Sequence, residues 1–88
     1  MLDKRVDRQN VLDALTFIDK NGVPKRRKST KFILHRYNKI YPPKYVLSIA
    51  TKIATGKELE AKEFNGGYET NSFLMSLGFT IKEGNKQL

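Results

Sequence analysis

Two sets of apolar residues at the same helical spacing constrain the fold of this chain more than any other feature. Val11, Ala14, Leu15 and Ile18 follow an i, i+3, i+4, i+7 pattern, and Val46, Ile49, Ala50 and Ile53 repeat it. Each set makes one apolar face of a helix, and such a face must be buried against another element. Between them the pattern changes period. Phe32, Leu34 and Arg36 alternate with Ile33, His35 and Tyr37, which is the signature of a strand over 31–37.

Turn residues divide the rest. Helix one is expected over 7–20, ended by Asn21-Gly22 with Pro24 beyond it. Lys25 to Lys31 reads as a polar basic loop. Asn38-Lys39 is the expected two-residue turn into a short return strand, Ile40-Tyr41, although lysine tolerates positive φ poorly. Pro43 suits the first turn of helix two, where its missing N–H costs nothing, and Gly56 ends that helix. Leu59 and Phe64 read as anchors of a connecting segment. Asn65-Gly66-Gly67 is a turn into a third helix, whose face carries Thr70, Phe73, Leu74 and Leu77. Gly78 closes that helix, and Phe79-Thr80-Ile81 alternates as a last strand. The expected fold is α+β, three helices packed on a small antiparallel sheet in the order α-β-β-α-α-β. Residues 1–82 form one domain and 83–88 a frayed tail.

The 88 residues bring a net charge of +8, 39% apolar residues, no cysteine and a single histidine. The missing cysteines exclude disulfides, thiolate metal sites and cysteine nucleophiles, and one histidine excludes a multi-histidine metal site within this chain. No cofactor is expected. No apolar run approaches the ~18 residues of a membrane span, and the charged start, Met1 to Arg5, leads into no signal region. The expectation is a cytoplasmic domain with no membrane partner.

The charge is strongly asymmetric. Residues 1–44 carry twelve bases against four acids, whereas residues 45–88 carry five of each. The first half therefore holds the whole net charge, which points to a polyanion and to nucleic acid first. Simple solubility charge is the plain alternative.

Several local features fit a polyanion, each with a structural reading beside it. Lys25-Arg26-Arg27-Lys28 is a basic run that could follow a phosphate backbone, or be only a solvated loop. Lys31, His35, Arg36 and Lys39 continue the basic character along the hairpin. A stacking surface for an exposed base needs an aromatic beside a guanidinium, and Tyr37, Tyr41 and Tyr45 lie near Arg36. At least two of these tyrosines are expected to serve the core or the sheet edge. His35 reads as a surface or half-buried histidine before a ligand or a base. Lys44 stands in the first turn of helix two, where a cation opposes the helix dipole, so a bound phosphate would explain it. Asn65, Gly66 and Gly67 could offer backbone N–H groups to an anion, or form only a sharp turn with Phe64 as its anchor. Asn71 is expected to face away from the Phe73/Leu77 stripe, free to contact a base edge or to brace that turn. Ser29, Ser48, Ser72 and Ser76 have no histidine–carboxylate arrangement to activate them, and Glu58, Glu60 and Glu63 fall in a lysine-mixed solvated segment. The expectation is not an enzyme.

Tyr41-Pro42-Pro43-Lys44, Gly56-Lys57-Glu58-Leu59, Phe64-Asn65-Gly66-Gly67 and Leu77-Gly78-Phe79 are more specific together than apart. In that combination the stretch 32–81 resembles the N-terminal head domain of McrA-type HNH endonucleases, which restrict modified DNA. The resemblance implies a DNA-binding accessory module, a preference for modified duplexes, and a separate effector or nuclease chain as partner. Two departures accompany it. The turn Asn38-Lys39 stands where the family often carries glycine, and no HNH segment appears in the sequence. The leading expectation is thus a backbone-directed, sequence-tolerant DNA-binding module in a restriction or mobile-element setting. The alternative is an adaptor docking on an acidic protein surface, and a small subunit of an enzyme whose catalytic chain is separate ranks third.

Overall fold

The computed structural model of the chain describes residues 5–27, 31–57 and 67–83. Its elements follow the expected α-β-β-α-α-β order: α1 (Arg8–Asn21), β1 (Phe32–Arg36), β2 (Lys39–Tyr41), α2 (Pro43–Thr55), α3 (Gly67–Ser76) and β3 (Thr80–Glu83). Strand β3 runs through Glu83, one residue past the expected boundary of the tail.

Helix α1 starts at a reciprocal cap. The Asp7 carboxylate accepts the Asn10 N–H at 2.9 Å, and the Asn10 side-chain oxygen accepts the Asp7 N–H at 2.9 Å. Val11, Ala14, Leu15 and Ile18 are all buried, as their spacing requires. Helix α2 starts without a side-chain cap, on Pro42 as N-cap and Pro43 as the first helical residue. It ends at Gly56, whose φ of 85° lets its N–H turn back to the Lys52 carbonyl at 2.7 Å.

The second apolar stripe is corrected at one end and widened at the other. Val46, Ile49 and Ala50 are buried, but Ile53 is 42% exposed because the last turn of α2 runs out of the core. Tyr45, Leu47, Ser48 and Thr51 are buried as well, so the first turns of α2 are enclosed on nearly every side. That follows from its neighbours: α2 packs on α1, α3 and β1 together. Thr51 is accommodated there by donating its hydroxyl to the Leu47 carbonyl at 2.8 Å.

The sheet is antiparallel throughout, in the order β2-β1-β3. Leu34 pairs with Tyr41 on one side and Ile81 on the other, and this row faces the helices. Leu34 is fully buried, a location where a leucine side chain contributes roughly 1.5–3 kcal/mol. Burying Tyr41 opposite Leu34 also sets the hairpin register. Arg36 then pairs with Lys39, so the two-residue turn is Tyr37-Asn38 and not the expected Asn38-Lys39. Tyr37 takes the positive φ, at 55°.

The third helix brings two further corrections. Leu74 and Thr70 are fully buried, with Phe73 and Leu77 partly buried against the core and Phe79 buried just before β3. Asn71, expected to face outward, is only 6% exposed. Its helix is covered on the α2 side as well as by the strand that follows, so the position opposite the stripe is also enclosed. The expected anchors Leu59 and Phe64 lie outside the described residues.

Candidate nucleic-acid interface

Two groups of basic and aromatic residues emerge from this packing. The first gathers at the start of α2. The segment Lys25–Arg27, expected as irregular loop, is a single 3₁₀ turn that brings Arg27 across to the helix. The Arg27 guanidinium donates to the Ser48 hydroxyl at 2.8 Å and lies 5.2 Å from the centre of the Tyr45 ring. Ser48 and Tyr45 are both buried, so Arg27 is a bolt between the turn and the helix rather than a free loop base. Lys44 is half-buried in the first turn of α2 and is engaged within the protein.

The second group lies at the hairpin end of the sheet. The core-facing row of β1 reads Phe32, Leu34, Arg36, so its last member leaves the apolar interior as a guanidinium. Arg36 sits 5.8 Å from the Phe79 ring centre and 4.7 Å from the Tyr37 ring centre. On Phe79 a second guanidinium, that of Arg8, sits at 4.7 Å. The order is therefore Arg8, Phe79, Arg36, Tyr37, a ladder alternating cation and ring. Arg8 is fixed by a 2.9 Å bond to the Leu77 carbonyl, across 69 positions of sequence. Gly78 gives it room. A Cβ at that glycine would come within 2.9 Å of the Arg8 guanidinium, and its φ of +95° suits glycine alone.

Beside the ladder runs an open groove of about 430 Å³ between the hairpin and α1, lined by Arg36, Tyr37, Asn38 and Lys39 on one side and by Leu12 and Thr16 on the other. Lys39 pairs with Asp19 at 3.4 Å, and the same carboxylate accepts the Tyr41 hydroxyl at 2.9 Å. Burial, and then the neighbouring Asp19 carboxylate, pushes the Tyr41 phenol up to about 12, against a smaller lowering effect of Arg36. Tyr41 is 6% exposed, which makes it a structural tyrosine and not a contact surface.

Arg8 and Arg36 differ from Lys39 in one respect. Among the described residues, neither pairs with a carboxylate: Arg8 is held by a carbonyl and a ring, Arg36 by rings and the Tyr37 hydroxyl at 3.5 Å. At the rim Arg8 is exposed and Arg36 half-buried. Their positive charge is held in place without being neutralised, which is the electrostatic requirement for receiving an anion.

The residues singled out from sequence thus separate. Arg36 and Lys39 come together, with Tyr41 buried beneath them. His35 is half-buried on the opposite face of the sheet, paired with Ile40 and Thr80. Lys31 is exposed, 5.5 Å from the Phe32 ring, and Lys25 is exposed on the 3₁₀ turn. Asn71 is enclosed, Gly67 opens α3, and Lys28, Asn65 and Gly66 lie outside the described residues. Two members of the ladder, Arg8 and Phe79, were not read as site residues. Only the base at the first position of α1, unfavourable against the helix dipole, hinted at Arg8.

Among the described residues no helix is long and apolar enough to cross a membrane, and no group of three or more potential ligands could hold a metal ion. In comparison with known proteins, the family model of the ScoMcrA-like, N-terminal head domain matches residues 4–83. That span includes α1 and the basic half as well as the motifs between 32 and 81. No curated protein and no solved structure matches the chain.

Proposed function

The chain belongs to the ScoMcrA-like N-terminal head-domain family, and from that premise we propose that it is a DNA-binding module holding the phosphate backbone through Arg8 and Arg36. The observation that carries this reading is the pair of guanidiniums flanking Phe79, positioned by ring and carbonyl contacts and free of carboxylate partners among the described residues. Guanidiniums fixed in this way meet phosphate oxygens with little ordering left to do, and they carry no base information. The binding is sequence-tolerant. Lys25 and Lys31, both exposed, supply further cations. Cutting belongs to a nuclease-bearing partner, in keeping with the head-domain role in the family's name. A preference for modified duplexes extends the same reading and rests on the resemblance alone.

Titration of a labelled duplex across a salt series tests it. Contacts to ~3–5 phosphates give a log–log slope of roughly −3 to −5, similar for unrelated sequences. The same titration with a methylated duplex measures any modification preference. Absence of duplex binding at 50 mM salt defeats the reading and moves weight to an adaptor that docks on an acidic protein surface.

A further inference from the structure

Tyr37 is the feature that backbone binding does not explain. It is 80% exposed, the most exposed of the large apolar side chains described, and sits at the tip of the β1–β2 turn. It also holds a φ of 55°, left-handed geometry that a bulky residue adopts only at a cost. Asn38, the next residue, is of a type that enters this region readily, so a tyrosine here is not what turn chemistry selects. Exposure and strain together argue that the ring has a use outside the fold.

Its surroundings indicate the ligand. One side of the ring has the Arg36 guanidinium at 4.7 Å, which is itself backed by Phe79 and Arg8. The adjoining groove, about 430 Å³, falls in the ~300–1,000 Å³ range of ligand clefts and has on its rim Lys39, paired with Asp19. A flat aromatic surface next to a cation and a cleft is suited to a nucleobase with its phosphate. In the interior of an intact duplex both faces of every base are already stacked. A base that can stack on Tyr37 must therefore be unpaired.

We propose that Tyr37, with Arg36 behind it, is a stacking platform for one unpaired DNA base, so that the domain favours DNA containing a bulged or single-stranded nucleotide over fully paired duplex. The inference rests on the DNA-binding reading above and narrows it to a class of site. Base–aromatic stacking is strong enough to give about a tenfold preference.

The test uses two DNAs of equal length, one fully paired and one with a bulged 2-aminopurine, titrated at one salt concentration with the 88-residue chain. The wild type binds the bulged DNA about tenfold more tightly and quenches the 2-aminopurine. Tyr37→Phe retains both effects. Tyr37→Gly, which suits the positive φ and whose folding is checked by its melt, loses the quenching and the preference, read as the ratio of bulged to paired affinity within the variant. Equal wild-type affinity for the two DNAs, or an undiminished preference in Tyr37→Gly, overturns the platform and leaves backbone binding standing. Failure to bind either DNA overturns both.

Discussion

Arg27 and Arg36 both lie over tyrosine rings, at 5.2 Å and 4.7 Å, yet they serve opposite purposes. Arg27 meets Tyr45, a buried ring, and its guanidinium donates to the buried Ser48 hydroxyl. Arg36 meets Tyr37, an exposed ring, and its charge stays at the surface beside that of Arg8. The same two residue types therefore bind one segment to the core at the start of α2, and present a cation with an aromatic at the hairpin tip. What decides between them is the depth of the tyrosine, which the packing of α2 sets in one case and the turn geometry sets in the other.

The largest expected effect tests the structural half of this comparison. Arg27→Ala removes the donor to Ser48 and the contact with Tyr45, and is expected to destabilise the domain by about 1.5–3 kcal/mol. Duplex affinity, measured where the variant is folded, is expected to hold. A melt unchanged from wild type means that Arg27 is as free as Arg36, and the contrast fails.

Gly78→Ala follows, with an expected loss of about 1–2 kcal/mol from the left-handed backbone. Its new methyl also meets the Arg8 guanidinium, so this variant is expected to weaken duplex binding as well as lower the melting temperature. A fall in stability with undiminished binding would show that the position of Arg8 is irrelevant to the interface.

Tyr41→Phe is smaller, about 0.5–1.5 kcal/mol at neutral pH for one hydrogen bond to Asp19. It has a pH signature of its own. The folded phenol is raised from 10.0 to about 12, so its contribution is complete below pH 10 and is lost as pH rises towards 12. Wild type is expected to lose stability across that interval, and Tyr41→Phe to lose less. Equal high-pH sensitivity in both proteins removes Tyr41 from the hairpin's support. Smallest of all is the folding effect of Arg36→Ala, expected within about 0.5 kcal/mol of wild type.

Much of this architecture is legible in the sequence, because helices and strands declare themselves by period. Val11 to Ile18 and Val46 to Ala50 are buried where the spacing puts them, and Phe79 joins them as expected. The misses have physical causes. The hairpin turn moved by one residue because burying Tyr41 opposite Leu34 outweighs the preference of turn positions for Asn over Tyr. Asn71 is enclosed because α3 is covered from two directions, and a one-stripe reading assumes one. Arg27 looked like any other base in a run, and its buried partners are 21 positions away in sequence at Ser48. The Arg8–Phe79 contact joins the two ends of the chain, so no local pattern contains it. Charge asymmetry marks the basic half but does not say which bases the fold consumes.

The most direct measurement of that division is the salt slope of duplex binding for two variants side by side. Arg8→Gln/Arg36→Gln is expected to flatten the slope by about 2 and weaken binding alike across sequences, with a melt close to wild type. Arg27→Gln is expected to keep the wild-type slope while melting earlier. The reverse pattern, a wild-type slope in the double variant and a flattened one in Arg27→Gln, would contradict the account and place the DNA contact at the start of α2.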